Sequence, residues 1–163
     1  MLHVNIRRFQ SADLPALSDI YRYREVTENT SQLIYLGEEQ VAQIFEHAAR
    51  YTLVAEVDHT LVGHITLILS EKWRSKHVAS VALAVHPQWH GQGIGRALLL
   101  EAIDQADNWL GLRRLELDVF ADNTAAIGLY ESVGFVTEGI KQQAALKNGR
   151  FENLIFMARL HSL

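Results

Sequence analysis

The stretch Val81-Ala-Leu-Ala-Val-His-Pro-Gln-Trp-His-Gly-Gln-Gly-Ile-Gly-Arg-Ala-Leu98 leaves the fewest options for how this chain can fold. Its pattern predicts a strand over Ser80–Val85, a turn at Pro87, a glycine-rich corner, and a helix beginning near Ile94. Gly91, Gly93 and Gly95 remove side chains where backbone N–H groups crowd together, so an anion can approach the open helix N-terminus. The positive end of the helix dipole adds to that attraction, and Arg96 supplies a full charge in the first turn. A ligand carrying phosphate is expected at this corner.

The rest of the chain supplies a sheet for that strand and helix. His3 to Phe9 reads as a first strand, and Asp13 reads as a helix N-cap with Pro15 in the first turn. Leu14, Leu17, Ile20 and Tyr21 follow at helical spacing, which predicts a helix to about Arg24. Glu25 to Gly37 is polar and aperiodic, as binding loops often are. A second helix is expected over Glu38–Arg50, with Val41, Ile44 and Phe45 inward. Tyr51–Val57 and Leu61–Leu69 read as a hairpin around Asp58-His59-Thr60, and Glu71–Lys76 as a charged connector. After the long helix, Leu112–Phe120 is a strand with Leu115, Leu117 and Val119 facing one way. Asp122-Asn123 opens a helix that ends at Gly134, a C′ glycine. Phe135–Leu146 and Arg150–Leu160 close the chain as a hairpin around Asn148-Gly149. The order βααβββαβαββ predicts an α/β domain spanning residues 1–163, a mixed, mostly antiparallel sheet of about seven strands flanked by four helices.

Composition narrows the function. The chain has 163 residues, a net charge of −4 and no cysteine. That balance disfavours a general nucleic-acid or anionic-membrane binder. Without cysteine there is no disulfide framework, thiolate metal site or cysteine nucleophile, and no metal is expected. No apolar run approaches the roughly 20 residues of a membrane span, and Met1-Leu-His-Val-Asn-Ile-Arg-Arg lacks the order of a secretory signal. A cytoplasmic protein is expected.

The spacing of the glycines disfavours a nicotinamide dinucleotide and a nucleoside triphosphate. A dinucleotide fingerprint, G-x-G-x-x-G near a first strand, would place its third glycine one residue later, and the Walker pattern is absent. His90-Gly-Gln-Gly-Ile-Gly-Arg96 instead resembles the pyrophosphate loop of the GNAT family of N-acetyltransferases, Q/R-x-x-G-x-G/A, with His90 where glutamine or arginine is usual. Asn123-Thr-Ala-Ala-Ile-Gly-Leu-Tyr130-Glu-Ser-Val-Gly-Phe135 resembles the same family's N-x-x-A-x-x-L-Y-x-x-x-G-F segment. The element order matches as well. Asn108-Trp-Leu, Val119-Phe-Ala-Asp-Asn and the closing hairpin resemble a narrower branch, small bacterial enzymes that acetylate the α-amino group of free amino acids.

The resemblance implies acetyl-CoA as the cofactor and an acyltransferase activity. It implies that Leu83, Ala84 and Val85 meet the pantetheine arm, with one of their N–H groups binding the thioester oxygen as negative charge builds. It implies that His90, Gly91, Gln92, Gly93, Ile94, Gly95 and Arg96 hold the pyrophosphate, that Asn123 contacts the cofactor arm, and that Tyr130 protonates the departing thiolate. Asn123 also reads as a helix N-cap, and Tyr130 as a core aromatic, though the family spacing favours the cofactor and acid roles.

The general base stays open. Many relatives carry a carboxylate near the start of the fourth strand, where this chain has Ser80. His64, His77 and His86 could relay a proton through water. An α-amine with pKa about 8 is roughly one-tenth neutral at pH 7, whereas a lysine amine near 10.4 is below about one in a thousand. A site without a dedicated carboxylate therefore suits α-amines. Tyr21, Arg24, Asn29, Thr30 and Tyr35 offer groups for an amino-acid carboxylate and side chain, Arg24 through bidentate geometry. The reading is an N-acetyltransferase acting on a small-molecule amine, with a peptide N-terminal or lysine acetyltransferase and a non-catalytic acetyl-CoA-binding domain as alternatives. An uncovered edge strand leaves room for a homodimer.

Overall fold

The computed structural model describes residues 2–162. Its strands are β1 (Asn5–Arg8), β2 (Arg50–Val57), β3 (Thr60–Leu69), β4 (Val78–Val85), β5 (Arg114–Phe120), β6 (Val136–Lys147) and β7 (Arg150–Leu160). They form one sheet in the order β1-β2-β3-β4-β5-β7-β6. Neighbouring strands run antiparallel except at β4–β5, which is parallel. The helices are α1 (Leu14–Tyr21), α2 (Arg24–Thr27), α3 (Glu38–Phe45), α4 (Ile94–Asn108) and α5 (Thr124–Ser132). The expected order holds with one correction: five helices flank the sheet rather than four, because α2 forms inside the stretch expected to be a loop. Among the described residues no helix is long and apolar enough to cross a membrane.

Two helix ends fall short of their expected positions, each where a group from another element fixes the chain in a non-helical path. The Thr27 hydroxyl donates to the carbonyls of Tyr21 and Tyr23, and Tyr23 is extended, so α1 stops at Tyr21 instead of reaching Arg24. The Ala49 carbonyl accepts from the Leu69 amide at 2.8 Å, which draws the chain into the sheet and ends α3 at Phe45 rather than Arg50. Asp13 precedes α1 without capping it. Its carboxylate accepts from the Gln10 amide at 2.8 Å and from Arg7 at 2.9 and 2.7 Å, tying β1 to the helix start. The hairpins follow the sequence more closely. Asp58 and His59 both have positive φ (48° and 64°), as a two-residue turn twisted to match its strands requires, although Thr60 belongs to β3.

Alternation along β4 sorts the two helical layers. Val81 faces α4, whose Leu98, Leu99, Ala102 and Ala106 are buried against Leu53, Leu67, Leu115 and Leu117. Ala84 faces the other way, into Leu17, Ile20, Tyr21, Val26, Val41 and Phe45 of α1 to α3. Burying a leucine as fully as Leu98 contributes about 1.5–3 kcal/mol. The strand that leads into the glycine corner is thus clamped on both faces.

Candidate active site

The parallel seam is short. β4 and β5 pair at Val78–Arg114, Ala79–Leu115 and Ser80–Glu116, and beyond those pairs they part. Hydrogen-bond alternation shows which β4 groups face the opening. His86 donates to the Val62 carbonyl and the Val78 carbonyl accepts from Ser70, so the even residues of β4 bond to β3. The N–H and C=O of Val81, Leu83 and Val85 therefore point into the gap. Of the three residues expected to meet a pantetheine arm, Ala84 has its amide turned to β3.

At the far end of the gap the chain turns through His90 into α4. The His90 imidazole donates from Nε2 to the Val85 carbonyl at 2.7 Å, and its amide donates to Pro87 at 3.2 Å. His90 thus braces the mouth of the gap, its amide already engaged. From Gly91 to Arg96 the six amides have no partner among the described residues, and the first helical bond is Ala97 N–H to Gly93 O at 3.0 Å. Gly91 and Gly93 have φ of +72° and +84°, a conformation in which a Cβ is strained, whereas Gly95 is helical and lies against Leu129 of α5. Arg96 reaches across to Ser132 Oγ at 2.9 Å, joining α4 to α5. A row of free amides at the start of a 15-residue helix suits a diphosphate.

Helix α5 brings the second motif to the same place. Asn123 Oδ1 accepts from the Ala126 amide at 3.3 Å, so it is the N-cap, while its Nδ2 has no partner among the described residues. At the other end Phe135 N–H bonds Tyr130 O and Gly134 N–H bonds Glu131 O, with Gly134 at φ +103°. That double bond closes the helix as a Schellman motif and confirms the expected C′ glycine. Tyr130 is buried against Phe135, in the cluster that holds Val81 and Leu117, and burial pushes its phenol up to about 12. Its hydroxyl has no hydrogen bond among the described residues, yet it is not sealed from solvent. The phenol stays protonated at neutral pH and has a donor to give.

The residues nominated for the acceptor do not converge on one point. Tyr21 is buried, its hydroxyl 2.9 Å from His64 Nε2. Arg24 and Tyr35 are exposed, and Thr30 is spent on the loop, donating to the Thr27 carbonyl at 2.8 Å. Asn29 is the one tied to the rest of the site, through a residue the sequence reading did not single out. Lys147 Nζ donates to Asn29 Oδ1 at 3.0 Å and lies 3.4 Å from both carboxylate oxygens of Asp122, beside Asn123. The Asn148-Gly149 turn sets the register of Lys147 against Arg150, but nothing local signals a contact 118 residues away.

His64 is fully enclosed and burial lowers its pKa to about 3, so it is neutral and no base at ordinary pH. Ser80, Ala82 and Ala84 make the acceptor-side face of β4. On β5, Glu116 shares that side but is ion-paired to Arg114 at 2.8 Å, and Asp118 to Lys141 at 3.0 Å. Among the described residues no group of three His, Cys, Asp or Glu is placed to hold a metal.

A parallel seam that opens beside a glycine-built anion site is the arrangement of an acyltransferase that takes a coenzyme A thioester between two strands. The chain belongs to the Acetyltransferase (GNAT) family, whose profile matches residues 14–135. It is 34% identical to the L-amino acid N-acetyltransferase AaaT of Escherichia coli over 161 residues, 98% of this chain and 99% of that one. The ribosomal-protein-alanine N-acetyltransferase structure from Brucella melitensis superposes with a TM-score of 0.85 at 31% identity, covering 96% and 99% of the two chains. The spermidine N-acetyltransferase of Vibrio cholerae, solved with CoA and spermine, gives 0.86 at 25% identity, covering 96% and 95%. The protein is an acetyl-CoA-dependent N-acetyltransferase.

Proposed function

We propose that this enzyme acetylates the α-amino group of a free L-amino acid or a close derivative, by direct attack of the amine on the thioester. The observation that carries the reading is the acceptor side of the β4–β5 opening, where Ser80, Ala82 and Ala84 offer no carboxylate and Glu116 and Asp118 are each held by a cation. An acceptor reaching such a site must lose its proton without a strong base, which favours an α-amine over a lysine amine in neutral fraction, by less for a free amino acid, whose own carboxylate stabilises the cation, than for a chain terminus. The near-full-length likeness to an L-amino acid acetyltransferase supports the same class.

Acetyl-CoA supplies an activated acyl group and a thiolate leaving group that titrates near 8.5, as cysteine does. The amides of Gly91 to Arg96 would hold its diphosphate. Leu83 N–H, turned into the gap, would donate to the thioester oxygen as charge builds there. Asn123 Nδ2 is free to hold the arm while Oδ1 caps α5. Tyr130 would give its proton to the departing sulfur.

A thiol-release assay with acetyl-CoA against L-amino acids, polyamines, aminoglycosides and peptides tests the reading. Turnover on free amino acids is the expected result. Turnover confined to peptide N-termini would overturn it in favour of a protein acetyltransferase.

A further inference from the structure

The β6–β7 hairpin runs on after its neighbour has ended. β5 stops at Phe120, opposite Leu154, while β6 and β7 stay paired as far as Lys147 and Arg150. A register shift after Lys141, with Gln143 at φ +51° and its amide on Asn153 Oδ1 at 3.0 Å, bends the overhanging part. Lys147 therefore lands where three elements meet: the segment after α2, the turn before α5, and the end of β5. By the offset of the parallel pairs, Phe120 stands level with Ala84 across the opening.

The ammonium of Lys147 is poorly satisfied for a side chain that is 12% exposed. It has three donors, and Asn29 Oδ1 takes one at 3.0 Å. Its contacts to Asp122 are 3.4 Å to both oxygens, long beside the roughly 2.7–2.9 Å of a charge-assisted bond. The Phe120 ring lies 4.8 Å beneath the nitrogen, where it stabilises the cation and excludes water from that side. Asp122 is itself well exposed and free to turn to solvent. A second carboxylate arriving from the acceptor side would find a fixed cation with donors to spare.

We propose that Lys147 binds the carboxylate of the acceptor and so selects carboxylate-bearing amines, an inference that rests on the amino-acid reading above. Asn29 and Phe120 hold the ammonium in place, and Asp122 occupies it until the acceptor arrives. Arg24, the cation favoured by bidentate geometry, is exposed and makes no ion pair among the described residues.

The test compares L-phenylalanine and L-methionine with their carboxamides as acceptors, for the wild type, Lys147→Met, Lys147→Arg and Asp122→Asn. Loss of one charge-assisted bond predicts a KM for the acids raised by roughly tenfold to a hundredfold in Lys147→Met. The expected kcat, KM for acetyl-CoA and KM for the amides are those of the wild type, and Lys147→Arg restores part of the loss. Asp122→Asn is expected to lower KM for the acids alone, which keeps the inference testable if Lys147→Met does not fold. Equal losses on acid and amide would show Lys147 to be only a brace between loops and overturn the proposal. A wild type that turns over peptides and no free amino acid removes the amino-acid reading, and this inference with it.

Discussion

Ser80 on β4 and Glu116 on β5 are the last two residues that the parallel strands hold in register. One step farther the seam opens, and the backbone of Val81, Leu83 and Val85 is left facing a gap instead of a partner. An unpaired N–H and C=O inside a domain is costly unless something bonds to it. His90 Nε2 satisfies the Val85 carbonyl, and the Leu83 amide is left for a ligand. The break in the sheet is therefore what leaves backbone groups of β4 available to a ligand.

Tyr130 yields a kinetic prediction. Tyr130→Phe should lower kcat by roughly 10² or less, at the low end of general-acid effects, with little change in KM for acetyl-CoA. Because the phenol titrates near 12, the wild-type rate should rise as the acceptor amine deprotonates and show no descending limb from Tyr130 until the pH nears that value. Steady-state pH profiles of both forms check this. A Phe variant with unchanged kcat removes Tyr130 from the proton-donor role.

Asn123 serves with two different atoms, and substitution can separate them. Asn123→Asp keeps an oxygen for the Ala126 amide but loses the Nδ2 donor, so its melting temperature should hold while KM for acetyl-CoA rises. Asn123→Ala loses both and should also cost about 1 kcal/mol of stability. Thermal melts beside kinetics on the two variants decide it. Identical behaviour in both assays would mean that the side chain only caps the helix.

The three glycines of the loop look alike in sequence and are not alike in structure. Gly93→Ala places a side chain at φ +84°, which costs about 1–2 kcal/mol, and should raise KM for acetyl-CoA by displacing neighbouring amides. Gly95→Ala meets Leu129 at an ordinary 3.5 Å inside a helix and should leave the apo protein as stable or more so. Differential scanning calorimetry without ligand orders the two variants. Equal melting temperatures would contradict the backbone argument.

Buried His64 makes the fold sensitive to acid. Its folded pKa of about 3 lies below the 6.5 of a free imidazole, so the unfolded chain binds the extra proton. The associated stability is complete above about pH 6.5 and is lost as the pH falls toward 3, by up to about 1.4 kcal/mol per unit. Asp13 and Glu56, held low by hydrogen bonds from Arg7, add to the loss only nearer the carboxylate range. His64→Asn should flatten the pH dependence of denaturant stability between about pH 5 and 6.5, the upper part of the window set by the two His64 values and clear of the carboxylates. A slope unchanged by that substitution assigns the acid sensitivity elsewhere.

Local signals read well where local chemistry decides. The strand, glycine corner and helix of residues 80–108 stand as the periodicity predicts, and so do the C′ role of Gly134 and the tight turn at Asn148-Gly149. The ends of α1 and α3 were not legible, because the Thr27 hydroxyl and the Leu69 amide that set them arrive from other elements. Equal residue types also hid unequal roles. Tyr21 and Tyr35 both looked like acceptor groups, yet one is packed on His64 and the other is exposed. Lys147 escaped notice because its partners are brought to it by the bend of a hairpin, which no spacing in the chain records.

The register of β4 makes the sharpest distinction between adjacent residues. Leu83 has its amide in the gap, whereas the Ala84 amide lies in the ladder opposite His64. Proline removes an amide hydrogen, so Ala84→Pro deletes a sheet bond in a central strand and should unfold the domain or abolish its expression. Leu83→Pro deletes no ladder bond. It should fold with a lowered melting temperature and bind acetyl-CoA, while kcat falls by roughly 10²–10³, the loss typical of one oxyanion donor. Circular dichroism and calorimetric titration with acetyl-CoA establish folding and binding before the rate is read. A folded Leu83→Pro enzyme with wild-type kcat would place the oxygen-binding donor elsewhere in the opening, with the Val81 and Val85 amides the remaining strand groups that face it.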